Sequence, residues 1–295
     1  MEEPVLETET VRHVLAVHAP ALAALPLSAV ASPGTDNALW RLGDDLVVRI
    51  PRRAEAVAAF RKEMEWLSHL SALPLDVPEP VLIGQSDAMP HGAFGVARWI
   101  PGEIAAPEKI ADPEAAATAL AAFLTALRAL PTDGAPRAGA ANYGRGIPLT
   151  EMTERILPAI DLLGDEIDAI AGREMWLAAS AVPFEGRPTW LHGDLKDDNL
   201  IAREGALCGV IDWGLASVGD PAADTMAAWT WIAPAARDAF RDALGVPEAE
   251  WLRAQGWALY AGAIALSYYR MRGHADLCRI SRRTLARLGL MRERS

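Results

Sequence analysis

Apolar residues near the start of the chain recur at the spacing of a helix. Val11, Val14, Leu15 and His18 fall on one face, and the pattern predicts a helix from residue 1 to about residue 30. A cluster of turn-forming residues over 32–37 follows. We therefore expect the chain to begin with a single helix that ends in a turn.

Short apolar runs in the next segment predict strands. They lie at 39–42, 46–50, 81–83 and 94–100, with a helix at about 53–70 between the two pairs. The first pair flanks Gly43-Asp44-Asp45, which is typical of a β-hairpin. The first hundred residues are therefore expected to form an antiparallel sheet with one helix.

Helix-forming residues dominate after Gly102. Asp112-Pro113-Glu114 is typical of a helix start, since Asp caps the free N–H groups and Pro is favoured in the first turn. Further helices are predicted near 150–180, after Asp220 and over 247–295. The change in composition near residue 100 predicts an α+β chain with two lobes, 1–100 and 101–295.

Composition narrows the class of protein. Half of the 295 residues are apolar, so a large core can form. No apolar run approaches the roughly 20 residues that span a bilayer, and Met1-Glu2-Glu3-Pro4 lacks a signal-peptide pattern, so we expect a cytoplasmic protein without membrane contact. The net charge of −11 argues against nucleic-acid binding and is compatible with a cationic substrate.

Two carboxylates and a carboxamide are concentrated around a short predicted hairpin. Asn199 precedes one apolar strand and Asp212 ends the return strand, so antiparallel pairing brings them close enough to share a metal ion. Asp194 can face the same space and accept a proton, and Lys196 lies where it can touch a transferred phosphate. Magnesium prefers such hard oxygen ligands. The alternative is that these residues only form turns and end a strand.

The same segments resemble a known family. Residues 192–199, His-Gly-Asp-Leu-Lys-Asp-Asp-Asn, resemble the catalytic loop H-G-D-x-x-x-x-N of the aminoglycoside phosphotransferases and their relatives, which share the protein-kinase fold. Residues 211–214 resemble the metal-binding D-F-G motif, and 218–224 resemble the G-D-P-x-x-D segment of antibiotic and choline kinases. The resemblance covers about 35–231. It implies a two-lobed protein-kinase-like fold, with nucleotide bound by 1–100 and the acceptor by 101–295.

The resemblance also assigns roles to single residues. It makes Asp194 the catalytic base or hydroxyl-orienting residue, with Lys196 beside it, and makes Asn199 and Asp212 the Mg²⁺ ligands. It implies that His192 organises the loop by hydrogen bonding. Asp224 either braces the loop or only complements a helix N-terminus.

A cation for the nucleotide phosphates is expected from the strand lobe. Arg49 occupies the place where kinases have a strand Lys, and Arg can hold phosphate as well. Glu63 interrupts the apolar stripe of the 53–70 helix, whereas Glu65 projects elsewhere. Glu63 is therefore expected to pair with Arg49, unless it lies in solvent at the edge of the stripe.

Other nucleotide contacts are expected at two places. Thr35 and Asn37 lie where a phosphate loop belongs, although no G-x-G-x-x-G is present and an ordinary turn is the alternative. The segment from Arg98 to Ile100 resembles the hinge that presents backbone groups to adenine. The expected nucleotide is ATP, with GTP as the alternative.

Three functions remain open at this stage. The first is a Mg²⁺- and ATP-dependent O-phosphotransferase acting on an aminoglycoside or similar antibiotic. The second is a metabolic kinase for choline, homoserine, a sugar or a nucleoside-like hydroxyl, and the third is a non-catalytic nucleotide-binding module. The acid-rich segment 150–186 either steers a cationic substrate or is a solvated helix face, and the basic segment 279–294 is expected to be a solvated helix end. The chain is expected to be a monomer or a homodimer.

Overall fold

A computed structural model describes residues 6–31, 36–70 and 72–292. The chain divides into two compact units. The first comprises Met1–Pro101 with Gly209–Gly214, and the second comprises Gly102–Cys208 with Leu215–Ser295.

The first unit is built on a five-stranded sheet. Its strands are β1 (Leu27–Val30), β2 (Asn37–Leu42), β3 (Leu46–Pro51), β4 (Pro80–Gln85) and β5 (Ala93–Arg98). Its helices are α1 (Thr8–His18), α2 (Pro20–Ala23) and α3 (Ala56–Trp66), and a 3₁₀ turn at Leu67–Leu70 follows α3. The strands pair antiparallel in the order β1-β2-β3-β5-β4.

The core of this unit forms where α1 packs against the sheet. Val11, Val14 and Leu15 of α1 are buried with Trp40 of β2 and Phe94 of β5. The helical spacing of the apolar residues of α1 and the apolar runs of the strands therefore produce one shared hydrophobic cluster.

The predicted helix over residues 1–30 is wrong beyond His18. The structure ends α1 there, forms the single turn of α2, and places Leu27–Val30 in a strand at the edge of the sheet. Pro20 and Pro26 lack backbone N–H groups and interrupt a continuous helix. The backbone groups of Leu27–Val30 instead form their hydrogen bonds by pairing with β2. Thr35 lies outside the described residues.

The second unit is mainly helical. Its larger helices are α4 (Pro113–Ala129), α5 (Thr153–Leu162), α6 (Ala169–Ser180), α9 (Arg237–Leu244), α10 (Glu248–Tyr269) and α11 (Ala275–Arg287), and the single turns α7 (Ala222–Thr225) and α8 (Ala227–Thr230) precede α9. Its strands are β6 (Glu103–Ile104), β7 (Thr189–Leu191), β8 (Leu200–Arg203), β10 (Ser217–Gly219) and the first three residues of β9 (Ala206–Val210), whose last two residues belong to the first unit. They form one sheet in the order β6-β8-β9 and a second of β7 and β10.

One ion pair and one hydrogen bond attach α10 to the segment that begins at Asp220, and a second ion pair attaches α10 to α4. Arg253 donates to Asp220 at 2.6 and 3.1 Å, and both side chains are almost fully buried. Glu250 accepts from Arg128 at 2.9 Å and from the Thr225 hydroxyl at 2.5 Å. Each buried charge thus has a hydrogen-bonded partner, as the low polarity of the core requires. The contacts at Asp220 and Thr225 hold the turn α7 against α10, the longest helix.

No helix in the described ranges has the length and hydropathy needed to cross a membrane.

Candidate active site

The loop at 192–199 connects β7 to β8, and its backbone turns at a glycine. Gly193 has φ of 84°, in the left-handed region. A Cβ at this position would lie 3.0 Å from the carbonyl oxygen of Leu215. Any larger residue would therefore be both strained and crowded.

Asp224 holds the start of this loop. Its carboxylate accepts the backbone N–H groups of His192 at 2.6 Å and of Gly193 at 2.7 Å. Burial raises the pKa of Asp224, and its interaction with His192 and these two hydrogen bonds oppose that rise. Asp224 thus braces the loop, one of the two roles the sequence left open. Asp194 N–H donates to His192 Nδ1 at 3.2 Å, so His192 organises the loop as an acceptor.

Asp194 is held between a cation and an amide. Lys196 Nζ lies 3.1 Å from its Oδ2, and Asn199 Nδ2 donates to the same oxygen at 3.0 Å. Burial opposes ionisation, but Lys196 and then Arg145 outweigh it, and the pKa of Asp194 lies below its usual value. The side chain is 23% exposed. The loop therefore presents an ionised, oriented carboxylate with one edge open.

Asn199 is oriented by its amide nitrogen. Nδ2 also donates to the backbone oxygen of Asp194 at 2.8 Å. Because the nitrogen makes both hydrogen bonds, the amide oxygen is the atom left to bind a cation. A neutral hard oxygen of this kind suits Mg²⁺.

Two arginines of α11 take part in ion pairs that the sequence reasoning missed. Arg283 donates to Asp197 in the loop at 2.5 Å and to the backbone oxygen of Thr230 at 3.1 Å. Arg282 pairs with Glu166 at 2.6 Å. The expectation of a solvated basic helix end is wrong for these residues. Each pair joins positions more than eighty residues apart, so no local pattern signals it.

The first unit contains a bidentate buried ion pair. Arg49 of β3 donates to Glu63 of α3 through Nη1 at 2.5 Å and Nη2 at 2.7 Å. The side chains are 9% and 1% exposed. Burial opposes the charge on Arg49, but Glu63 and then Asp212 outweigh it, so the pKa of Arg49 lies above its usual value. The expected contact between Arg49 and Glu63 is present.

Asp212 lies close to this pair in an unusual backbone conformation. Its φ is 65°, which Asp tolerates better than most residues but which is uncommon outside glycine. The backbone N–H of Trp213 donates to Glu63 Oε1 at 3.2 Å and so ties the segment to α3. A strained backbone conformation of this kind persists only where the surrounding contacts hold it in place, and such positions are often found at functional sites.

The remaining expected nucleotide contacts lie at or near the ends of two interior strands of the same sheet, Asn37 at the start of β2 and Arg98 at the end of β5. The backbone oxygen of Asn37 accepts from Arg52 Nε at 3.3 Å. Arg98 is exposed, 3.8 Å from the carboxylate of Glu79, whereas Ile100 is buried.

A cavity of about 320 Å³ opens beside Asp194 in the second unit. Its walls come from α10 and α11 and from the loop that carries Asp194 and Lys196. None of its lining residues belongs to the acid-rich segment 150–186. In that segment Asp165 and Glu166 pair with Arg270, and Asp161 pairs with Arg173.

No group of three or more His, Cys, Asp or Glu side chains within the described ranges is arranged to hold a metal ion. Asn199 carries an amide oxygen and Asp212 carries a carboxylate, and each is a hard oxygen of the kind that Mg²⁺ prefers. Because Mg²⁺ retains water ligands, a few protein oxygens are enough to hold it.

A family model provides the decisive comparison. The model of the phosphotransferase enzyme family matches residues 29–261, most of the chain. The chain belongs to this family. Membership confirms the predicted family and the predicted enzyme class, a small-molecule O-phosphotransferase.

Solved structures of phosphotransferases share the fold of this chain. The GDP complex of wild-type aminoglycoside 2'-phosphotransferase-IIIa has a TM-score of 0.70 and 18% sequence identity, covering 96% of this chain and 99% of that one. The apoenzyme of macrolide 2'-phosphotransferase MphH from Brachybacterium faecium has a TM-score of 0.63 and 20% identity, covering 97% and 99%. These similarities confirm the predicted α+β, kinase-like fold. A search of curated proteins found no match.

Proposed function

We propose that this phosphotransferase moves the γ-phosphoryl group of ATP to a hydroxyl of a small molecule and requires Mg²⁺. The main support for this proposal is the ionised carboxylate of Asp194, which Lys196 and Asn199 hold at the edge of a cavity. Phosphoryl transfer needs positioning and charge stabilisation more than covalent chemistry, and this arrangement offers both.

In the proposed reaction Asp194 orients the acceptor hydroxyl. The hydroxyl oxygen forms a bond to the γ-phosphorus while the bond from that phosphorus to the β–γ bridging oxygen breaks. The hydroxyl proton passes to Asp194, and the nucleoside diphosphate leaves. Because the pKa of Asp194 is depressed, it acts as a weak base and takes the proton late, when the new P–O bond has made the hydroxyl acidic.

Lys196 and Arg49 are proposed to stabilise phosphate charge. Lys196 Nζ is close to the carboxylate that receives the hydroxyl, so it can contact the transferred group. Arg49 is fixed by Glu63 with its charge retained, as a phosphate anchor requires. Thr35 and Asn37 are proposed as phosphate contacts, and Arg98 and Ile100 as backbone contacts of the base.

Asn199 and Asp212 are proposed as the Mg²⁺ ligands. When bound, the ion neutralises charge on the phosphates. The chain's own contribution is to orient the amide of Asn199 through Asp194 and to hold Asp212 next to Arg49 and Glu63. GTP is the alternative phosphoryl donor, since the contacts proposed for Arg98 and Ile100 are made by backbone groups.

A hydroxylated antibiotic is the proposed acceptor, with resistance by O-phosphorylation as the outcome. The solved structures of similar fold support this choice, because they include a GDP and kanamycin complex and a macrolide 2'-phosphotransferase. A metabolic hydroxyl compound such as choline, homoserine, a sugar or a nucleoside is the second candidate. Kinases that act on such compounds share this fold and this chemistry.

The test is acceptor-dependent turnover of ATP. Purified protein is incubated with Mg·ATP and a panel of aminoglycosides, macrolides, neutral antibiotics, amino alcohols, sugars and nucleosides, and both ADP and the phosphomonoester product are measured. We expect ADP and phosphorylated acceptor in equal amounts, and neither when EDTA is present. ADP formation without a phosphorylated acceptor, or no turnover with any class, would contradict the proposal.

A further inference from the structure

The cavity beside Asp194 has mainly apolar walls. Ala261, Ile264 and Ala265 of α10 form one side, and Leu277 and Ile280 of α11 form another. A volume of about 320 Å³ lies within the range of small-molecule sites. Such walls are suited to the apolar body of a ligand, because contact with them removes apolar surface from water.

Aromatic rings extend the lining of this cavity. Tyr268 and Tyr269 line it at the end of α10, with ring centroids 5.0 Å apart and planes nearly perpendicular. Tyr268 is 51% exposed, so part of its ring is open to a ligand. The guanidinium of Arg272 lies over that ring, 3.6 Å from its centroid, and adds a positive charge outside the cavity lining.

The charges that line the cavity disfavour a polycation. Its lining contains one carboxylate, Asp194, and two cations, Lys196 and Arg145. The carboxylate is already paired with Lys196 at 3.1 Å. An acceptor with several ammonium groups would therefore meet no unpaired carboxylate there and would face a net positive lining.

Arg145 supplies an independent indication of the ligand. Its Nε and Nη1 are buried and have no hydrogen-bond partner in the described part of the chain. Its guanidinium lies 5.3 Å from the ring centroid of Tyr260, which holds it in place without satisfying these donors. Buried unsatisfied donors are costly, so an oxygen acceptor on a ligand would be stabilised here.

We infer that the acceptor of this enzyme is a hydroxylated molecule with an apolar body and at most one positive charge, not a polycationic amino sugar, and that Arg145 donates to one of its oxygens. This inference rests on the proposed function. It narrows the antibiotic acceptors to those whose hydroxyl is carried on an apolar or aromatic framework. The reaction itself is unchanged, with the hydroxyl placed at Asp194.

The first experiment compares acceptors by charge. Binding by calorimetry and kcat/KM are measured for kanamycin as a polycation, for a macrolide as a monocation with an apolar ring, and for chloramphenicol as a neutral aromatic alcohol. We expect the last two to bind more tightly than kanamycin, by about 100-fold. Tighter binding of kanamycin, or binding of none of the three, would overturn the inference. ATP turnover with kanamycin as the preferred acceptor would overturn it while leaving the proposed function intact.

The second experiment changes the lining. Ala265→Glu adds a carboxylate to the half-buried wall, and Ala122→Glu adds one to an exposed position of α4 as the control. The first variant should shift the kcat/KM ratio toward kanamycin by about 10-fold or more and the control should leave it unchanged.

Arg145→Met should weaken binding of the preferred acceptor while the KM for ATP stays within twofold, and Arg145→Lys should restore part of that binding. Equal ratios for both alanine variants, or unaltered acceptor binding in Arg145→Met, would contradict the assignment.

Discussion

Removal of the charge on Glu63 tests the buried ion pair of the first unit. In Glu63→Gln the guanidinium of Arg49 keeps one hydrogen-bond acceptor but loses the carboxylate that it contacts through two nitrogens. Both side chains are almost fully buried, so water cannot replace the lost partner. Breaking a buried pair of this kind costs about 3 kcal/mol or more, because the guanidinium loses its hydrogen-bonded counterion and keeps only the weaker interaction with Asp212.

The measurement is urea unfolding of wild type, Glu63→Gln and Glu65→Gln, followed by tryptophan fluorescence. Glu65 is exposed on the same helix, so its variant should unfold within about 0.5 kcal/mol of wild type. The double variant Arg49→Met with Glu63→Leu removes both charges and should recover most of the stability, yet bind nucleotide more weakly than wild type. Equal stability of Glu63→Gln and Glu65→Gln would refute the reasoning.

Three further predictions concern the loop and the proposed metal ligands. Asp224→Asn should lower kcat by about 10- to 100-fold with little change in nucleotide affinity, because an amide cannot accept both backbone N–H groups of the loop; steady-state kinetics that match wild type would exclude this role. Arg283→Met removes the ion pair with Asp197 of the loop and should lower kcat by about 10-fold. Arg279→Met, at an exposed site of α11, should leave kcat unchanged. Steady-state kinetics of both variants test this, and equal kcat values would contradict it. Asp212→Ala should abolish the Mg²⁺ dependence of nucleotide binding, and a magnesium titration that still tightens binding would contradict its role as a ligand.

Local patterns were enough to predict the parts of the site that depend on one element. Glu63 interrupts an apolar helix stripe, and a carboxylate on a buried face requires a cation. The resemblance to kinases, which have a Lys on the matching strand, identified Arg49 as that cation. Asp112 caps α4 as its sequence predicts, accepting from the N–H groups of residues 114 and 115. In these cases the physical requirement can be read from neighbouring positions in the sequence.

Tertiary pairing decided the parts that could not be predicted. Leu27–Val30 becomes a strand because it pairs with β2. The sequence of a short segment does not indicate which strand will pair with it. Arg282 and Arg283 look like surface charges until Glu166 and Asp197 are placed against α11. The walls of the cavity likewise come from residues far apart in the chain, so the polarity of the acceptor site could be read only from the fold.

The most direct test of the proposed reaction replaces Asp194 by Asn. Transfer of the labelled γ-phosphoryl group of ATP to an accepted hydroxyl compound is measured, together with nucleotide affinity, for wild type, Asp194→Asn and the exposed control Asp133→Asn. The account predicts that Asp194→Asn lowers the transfer rate by about 10²- to 10⁴-fold, with nucleotide affinity nearly unchanged and the control fully active. Wild-type transfer by Asp194→Asn would contradict it.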